Sequence, residues 1–253
     1  MNKKLKLEIE TARREHKERG LEGILEQERG GKILEDIVYG ANDGIITTFA
    51  VIAGVAGGGL TRSVVLILGF ANLLADGISM GMSNYLGKQS RLQYEKAARK
   101  REEWEVDHIP EEERKEVEAI YAGRGFHGKT LKDIVDQITS DKKRWVEEMM
   151  LWEFGVHPHS DDSPVKSGWT TFIAFAIAGL LPLLPYLFPI PSGYYFPVSI
   201  ISTIASLFGV GAARSIVTNV VWWRSGLQML GVGTLAASAA YGVGVLLKTV
   251  IGA

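Results

Sequence analysis

The sequence predicts an all-α integral membrane protein with five transmembrane helices and a cytosolic helical insert between helices two and three. Three observations carry this expectation. The 253 residues include 28 Lys/Arg and 29 Asp/Glu, but these charges are segregated along the chain. Met1–Asp36 holds nine basic and nine acidic residues, Lys88–Lys166 holds fifteen and eighteen, and Ser163–Ala253 has no acid. Around these blocks lie five mostly apolar runs of about 20 residues, the length that crosses a hydrocarbon core of roughly 30 Å. A mean hydropathy near zero hides this pattern, because charged blocks and apolar runs average out.

The expected elements follow in order. Residues 1–36 form a charged cytosolic arm with a mixed-charge helical pattern and no basic-then-apolar leader. Residues 37–89 carry the first two spans, Ile37–Gly58 and Val64–Gly87, joined by the tight "GGGLTR". Residues 90–166 form the insert. No Gly or Pro interrupts Lys88–His108, so the second helix should continue as a rod. Pro110 then opens a helix to about Tyr121, "TLKDIVDQIT" forms another, and Ser140 can cap a last one closed by Gly155. Residues 167–253 hold the remaining spans, Trp169–Phe188, Val198–Val221 and Leu227–Leu247.

Short loops on one side carry only Arg62, whereas the other side has the arm, the insert, Arg214 and Arg224. The positive-inside rule therefore places the N-terminus and insert in the cytosol. Tyr186, Tyr194 and Tyr195 suit the outer interface, and Trp222 and Trp223 the inner one. The chain has no cysteine, which excludes disulfides and thiolate metal sites. No nucleic-acid partner and no prosthetic group are expected.

Asn42-Asp43-Gly44 would be a turn in a soluble protein. If the first span began after Asp43, about 22 Å of helix would remain, too short to cross. Starting near Asp36 puts Asp43 about 10 Å along the helix, at 1.5 Å per residue. A carboxylate at that depth costs several kcal/mol unless it faces a cavity, binds a cation or takes a proton. Two readings are open: an N-cap at the water edge, or a cation or proton site.

Asn72, Asp76, Met80 and Asn84 recur every fourth residue, with Ser83 adjacent, making one polar stripe on helix two. With Asn42 of the first span it lines a pore, or it serves as polar glue between helices. Asp43 and Asp76 are the only acids inside the expected spans. Gly40-x-x-x-Gly44 and Gly77-x-x-x-Gly81 bracket them, suggesting that helices one and two form a packed core, within one chain or across a dimer axis. The Met80 thioether beside carboxylates suits a softer divalent metal such as Fe²⁺, and it equally suits packing.

In the insert, Glu102/Glu105 and Glu113/Glu116 are i, i+3 pairs that share a helix face. Met149, Met150 and Glu153 follow on the last insert helix, where Trp145, Met149 and Trp152 read equally well as a plain core stripe. Glu105-x-x-His108 is half of a di-iron motif whose second half is missing, so an enzyme of ferroxidase type is not expected. His127, His157 and His159 fall in loops and are unspecific.

Taken together, "YGANDGIITTFAVIAGVAG", "LADGISMGMSNYLG", "YEKAARKREEWE", "PEEERKEV", "ITSDKKRWVEEMMLWEFG" and "LPLLPY" resemble the vacuolar iron transporter family, in its bacterial branch. The resemblance covers nearly all of the chain from Glu35 onward. It implies a homodimer in the lipid bilayer that exports Fe²⁺ from the cytosol in exchange for protons, with Mn²⁺, Co²⁺ or Zn²⁺ as further cargo. It implies a path at the dimer interface, with Asp43 and Met80 on metal-path positions. Glu102, Glu105, Glu113, Glu116, Met149, Met150 and Glu153 fall on its cytosolic metal-binding positions. Asn84 departs from the plant pattern, which has an acid near the end of this helix, and Asp76 is the candidate substitute. The expected location is the cytoplasmic membrane of a prokaryote, or a vacuolar membrane in a eukaryote. A passive divalent cation channel and a membrane-bound metal buffer or sensor are the alternatives.

Overall fold

The computed structural model describes residues 3–156, 163–218 and 220–251. Its first element, α1 (Lys3–Gly57), is a single helix that passes through Asn42-Asp43-Gly44 without a turn. The triplet stays helical because a turn within an apolar run would leave backbone N–H and C=O groups unpaired away from water. The bend comes later, at Gly59, where φ is 71° and only glycine fits without strain. Then follow α2 (Arg62–His108), α3 (Pro110–Gly123), α4 (Gly128–Thr139), α5 (Lys142–Phe154), α6 (Pro164–Leu187), a 3-10 turn (Ser192–Tyr194), α7 (Tyr195–Thr218) and α8 (Trp222–Ile251). Five of these helices are long and apolar enough to cross a membrane, the first through its segment Gly31–Gly57. Among the described residues there is no strand, so the chain is an all-α integral membrane protein.

The chain divides into two units, Met1–Tyr85 with Pro164–Ala253, and Leu86–Ser163. In the first unit the most extensive helix packing is between α1 and α6. A Cβ built on Gly44 or Gly40 would overlap the carbonyl oxygens of Phe175 or Thr171. On α2, a Cβ on Gly81 would lie 2.9 Å from the Gly168 oxygen, and one on Gly77 3.2 Å from Phe175. Both glycine pairs therefore dock on α6 rather than on each other, while α1 and α2 share the apolar cluster of Phe49, Ile52, Val65 and Leu73. The reason is complementary: α6 presents its own small residues, Gly168, Thr171 and Gly179, so backbones approach on both of its sides.

Pro182 and Pro185 lie inside α6. Pro185 has no N–H for the Leu181 carbonyl one turn back, and Ser202 of α7 supplies the missing donor at 2.8 Å. Ser199 donates likewise to the Pro182 oxygen at 2.8 Å. Tyr186 and Tyr195 do not form an exposed belt. They are buried and stack with ring centroids 5.3 Å apart. Arg62 closes this end, its guanidinium 5.0 Å from the Tyr195 ring and its Nε donating to the Tyr186 oxygen at 2.8 Å. Tyr194, Trp222 and Trp223 are exposed as expected.

The second unit is a small helical domain around Val106, Val117, Val135, Trp145, Met149 and Met150. Asp141, not Ser140, caps α5: its carboxylate accepts the Arg144 N–H at 2.8 Å. Ser140 is still helical (φ −71°, ψ −17°) and ends α4, whereas Asp141 is extended, the geometry an N-cap requires. Gly155 terminates α5 with φ 65°, its N–H donating to the Leu151 oxygen as in an αL cap, while the Val156 N–H donates to the Met150 oxygen.

Candidate functional sites in the two units

In the membrane unit, the polar residues of α1 and α2 meet at two levels. Asp43 and Asp76 are both half-buried and close enough for their charges to interact. At the other level Asn84 Nδ2 donates to Asp36 Oδ1 at 2.9 Å and to Thr171 Oγ1 at 2.6 Å. One amide thus ties α1, α2 and α6 together. The levels match because Asp36 and Asp43 are seven residues apart and Asp76 and Asn84 eight, about two turns on each helix.

Asp36 is the residue that sequence reasoning missed. In sequence it ends the charged arm, yet it is 6% exposed inside the helix bundle. Its signal was the seven-residue spacing to Asp43, which puts both on one face. The structure also shows what Asn84 does in place of an acid: it is a donor, which an ionised carboxylate cannot be. Asn72 and Met80 lie half-buried on the same stripe, Met80 packed against the apolar cluster of Phe49, Ile52 and Phe175, and Ser83 is exposed. Asn42 does not join the seam; it lines a separate cavity with α7 and α8.

In the second unit, one oxygen from each of Glu102, Glu105 and Glu113 lies within 4.8 Å of the others. Metal–oxygen bonds of roughly 2.0–2.6 Å place ligand oxygens within such a spread, so the triad can hold one cation. Glu102 is 1% and Glu113 3% exposed, and the Oε2 of each is buried without a partner. All three are outside the apolar spans, on the charged continuation of α2 and on α3. Burial, then the field of neighbouring glutamates, pushes Glu102 and Glu113 up to about 7. Glu153 on α5 is pushed up to about 8, by burial first, then by a hydrogen bond with Glu116 and the charge of Glu102. These upward shifts favour Glu102, Glu113 and Glu153 carrying a proton or meeting a cation near neutral pH.

Met149 and Met150 are fully buried in the apolar core one turn before Glu153. Trp145 is in that core, but Trp152 is exposed, donating to Glu148 at 2.9 Å with Arg124 4.4 Å from its ring. The expected three-residue core stripe is therefore broken at Trp152. His108 turns away from Glu105: its Nδ1 lies 2.7 Å from the Trp104 oxygen, and its ring stacks on Trp104. His127 is exposed ahead of α4, and His157 and His159 lie outside the described residues.

The fold and these two acid groups define a class: a polytopic helical membrane protein with carboxylates inside its bundle and, in a helical domain, a glutamate group that can hold a cation. Comparison with known proteins names the family. The chain belongs to the VIT family, whose model matches residues 34–245. It is 36% identical over 226 residues to the vacuolar iron transporter of Toxoplasma gondii, covering 86% of this chain and 75% of that protein. It is 34% identical over 224 residues to the vacuolar iron transporter of Plasmodium falciparum, covering 85% and 82%. To vacuolar iron transporter 1 of Arabidopsis thaliana it is 32% identical over 212 residues, covering 83% and 84%. These relatives are eukaryotic and do not support assignment to a bacterial branch.

Proposed function

We propose that the chain is an iron transporter that moves Fe²⁺ out of the cytosol in exchange for protons, as a homodimer. The observation that carries this reading is the acid seam: half-buried Asp43 and Asp76 on two membrane helices, near enough for their charges to interact, with Asp36 held by Asn84 two turns away. Two carboxylates at one level of a membrane helix pair are costly unless a cation or proton sits with them. One group that accepts either a metal or a proton couples the two by competition. Iron as the cargo follows from the names of the relatives and from the Met80 thioether on the same stripe.

Each residue then has a role. Glu102, Glu105, Glu113, Glu116 and Glu153 collect metal in the helical domain, with Met149 and Met150 behind them. Asp43, Asp76 and Met80 form the membrane station. Protons arriving from the acidic side protonate the seam carboxylates and release the metal there. The location is a cytoplasmic or vacuolar membrane with the helical domain in the cytosol.

The test is Fe²⁺ flux into proteoliposomes under an imposed pH gradient, wild type against Asp43→Ala. Flux that depends on the gradient in wild type and is lost in the variant supports antiport. Gradient-independent flux points to a passive channel, and equal flux in both proteins rejects the acid seam as the path.

A further inference from the structure

A cavity of about 470 Å³ lies between α1, α7 and α8, lined by Glu35, Asn42, Arg214 and Gln228 above an apolar floor that includes Val38 and Val232. It is separate from the Asp43–Asp76 seam and plays no part in the transport reading. Two of its polar atoms are buried without a hydrogen-bond partner, Asn42 Oδ1 and Arg214 Nε. One is an acceptor and the other a charged donor. Orphaned polar atoms of this kind cost free energy unless a ligand or water meets them. The volume is many times the roughly 30 Å³ share of one water.

We propose that this cavity binds the headgroup of an amine-bearing phospholipid, of the phosphoethanolamine type. The polar lining divides into two chemistries. Arg214 donates to Gln228 Oε1 at 3.2 Å, which leaves the Gln228 amide N–H and the Arg214 Nε–H as donors to a phosphate. Glu35 and Asn42 Oδ1 are acceptors and call for N–H donors, which a primary ammonium supplies and a methyl-capped choline does not. An anionic headgroup meets the arginine but faces the Glu35 carboxylate. A bare cation meets Glu35 but faces the guanidinium. A zwitterion satisfies both.

The depth agrees with a lipid. Arg214 lies four residues from the end of α7 and Gln228 six residues into α8, so both sit at the same end of these helices. Trp222 and Trp223 are exposed at that end, where indole rings mark the headgroup level of a bilayer. Val232, 56% exposed, continues from the cavity floor onto the lipid-facing side of α8, where acyl chains would lie.

The experiment is native mass spectrometry of the detergent-purified full chain with phosphatidylethanolamine, phosphatidylglycerol and phosphatidylcholine of equal acyl chains. Soluble phosphoethanolamine serves as a competitor that separates headgroup recognition from acyl binding. The expected result is preferential retention of phosphatidylethanolamine. Arg214→Gln should weaken it about tenfold, the scale of one charge-assisted hydrogen bond. Glu35→Gln, a surface change that leaves the fold intact, should abolish the preference over phosphatidylglycerol. Val232→Trp, which fills the floor, should lower retention of all three lipids. Equal retention of the three lipids by wild type would overturn the proposal. So would an unchanged profile in Glu35→Gln, or loss of a protein dimer in Arg214→Gln with no change in lipid, which would assign the cavity to a second copy.

Discussion

Asn84→Asp exchanges one amide nitrogen for an oxygen at the junction of three helices. In the native chain the amide donates to Asp36 Oδ1 at 2.9 Å and to Thr171 Oγ1 at 2.6 Å. The new carboxylate donates to neither. The Thr171 hydroxyl can rotate and donate to it, but Asp36 then faces a second acid at hydrogen-bond distance. A hydrogen bond to a charged group is worth about 1.5–3 kcal/mol, and losing this one inside the bundle costs on that order. A like-charge pair this close also favours uptake of a proton or a cation. The expected loss for the metal-free protein is therefore about 2–3 kcal/mol. For a chain of this size that is a fall in Tm of about 5–10 °C. The assay is thermal unfolding in detergent by near-UV circular dichroism, comparing wild type, Asn84→Asp and Asn84→Ala. Asn84→Ala loses the donors without adding charge and should fall between the other two. Fe²⁺ should rescue Asn84→Asp more than Asn84→Ala, because only the former creates a site that a cation neutralises. Asn84→Asp melting with wild type in the absence of metal would refute the reasoning, as would a greater loss for Asn84→Ala.

Other predictions address the rest of the molecule. Gly44→Ala should destabilise by about 1–3 kcal/mol or more, because its methyl meets the Phe175 carbonyl and a backbone atom cannot swing aside; unchanged melting in detergent would refute close α1–α6 packing. Glu102 and Glu113, raised from 4.5 to about 7, bind protons in the folded state that the unfolded chain has released. Metal-free stability should therefore decline as pH rises from about 4.5 and level off above 7. Metal binding should release these protons, so calorimetric Mn²⁺ affinity should strengthen between pH 6 and 8, and Glu102→Gln should flatten that dependence. Asp141→Ala removes the cap of α5 and should cost about 1 kcal/mol, seen as faster hydrogen exchange at Lys142–Trp145.

Much of the fold was legible because spans and charged blocks follow from composition. Twenty apolar residues in a row must cross or be buried, and a run without Gly or Pro must stay helical, so α2 runs unbroken to His108. The insert acids were legible as i, i+3 pairs, since a helix fixes which neighbours share a face. Asp141 was missed as a cap because Ser140 and Asp141 both have capping side chains, and only the backbone angles separate them.

The sequence by itself favoured Asp43 within the first span over a cap at the water edge, because about 22 Å of helix falls short of the core. Only the tertiary structure decided what the small residues around it pack against. Gly40, Gly44, Gly77 and Gly81 all receive α6, a helix more than eighty residues away from the nearest of them in sequence. Small-residue motifs state that a backbone will come close, but they carry no label for which one. The same holds for Asp36 and Asn84, 48 residues apart, whose pairing depends on two antiparallel helices settling at one level. Local periodicity assigns a residue to a face. The packing of that face, a sum over contacts between distant segments, assigns it a partner.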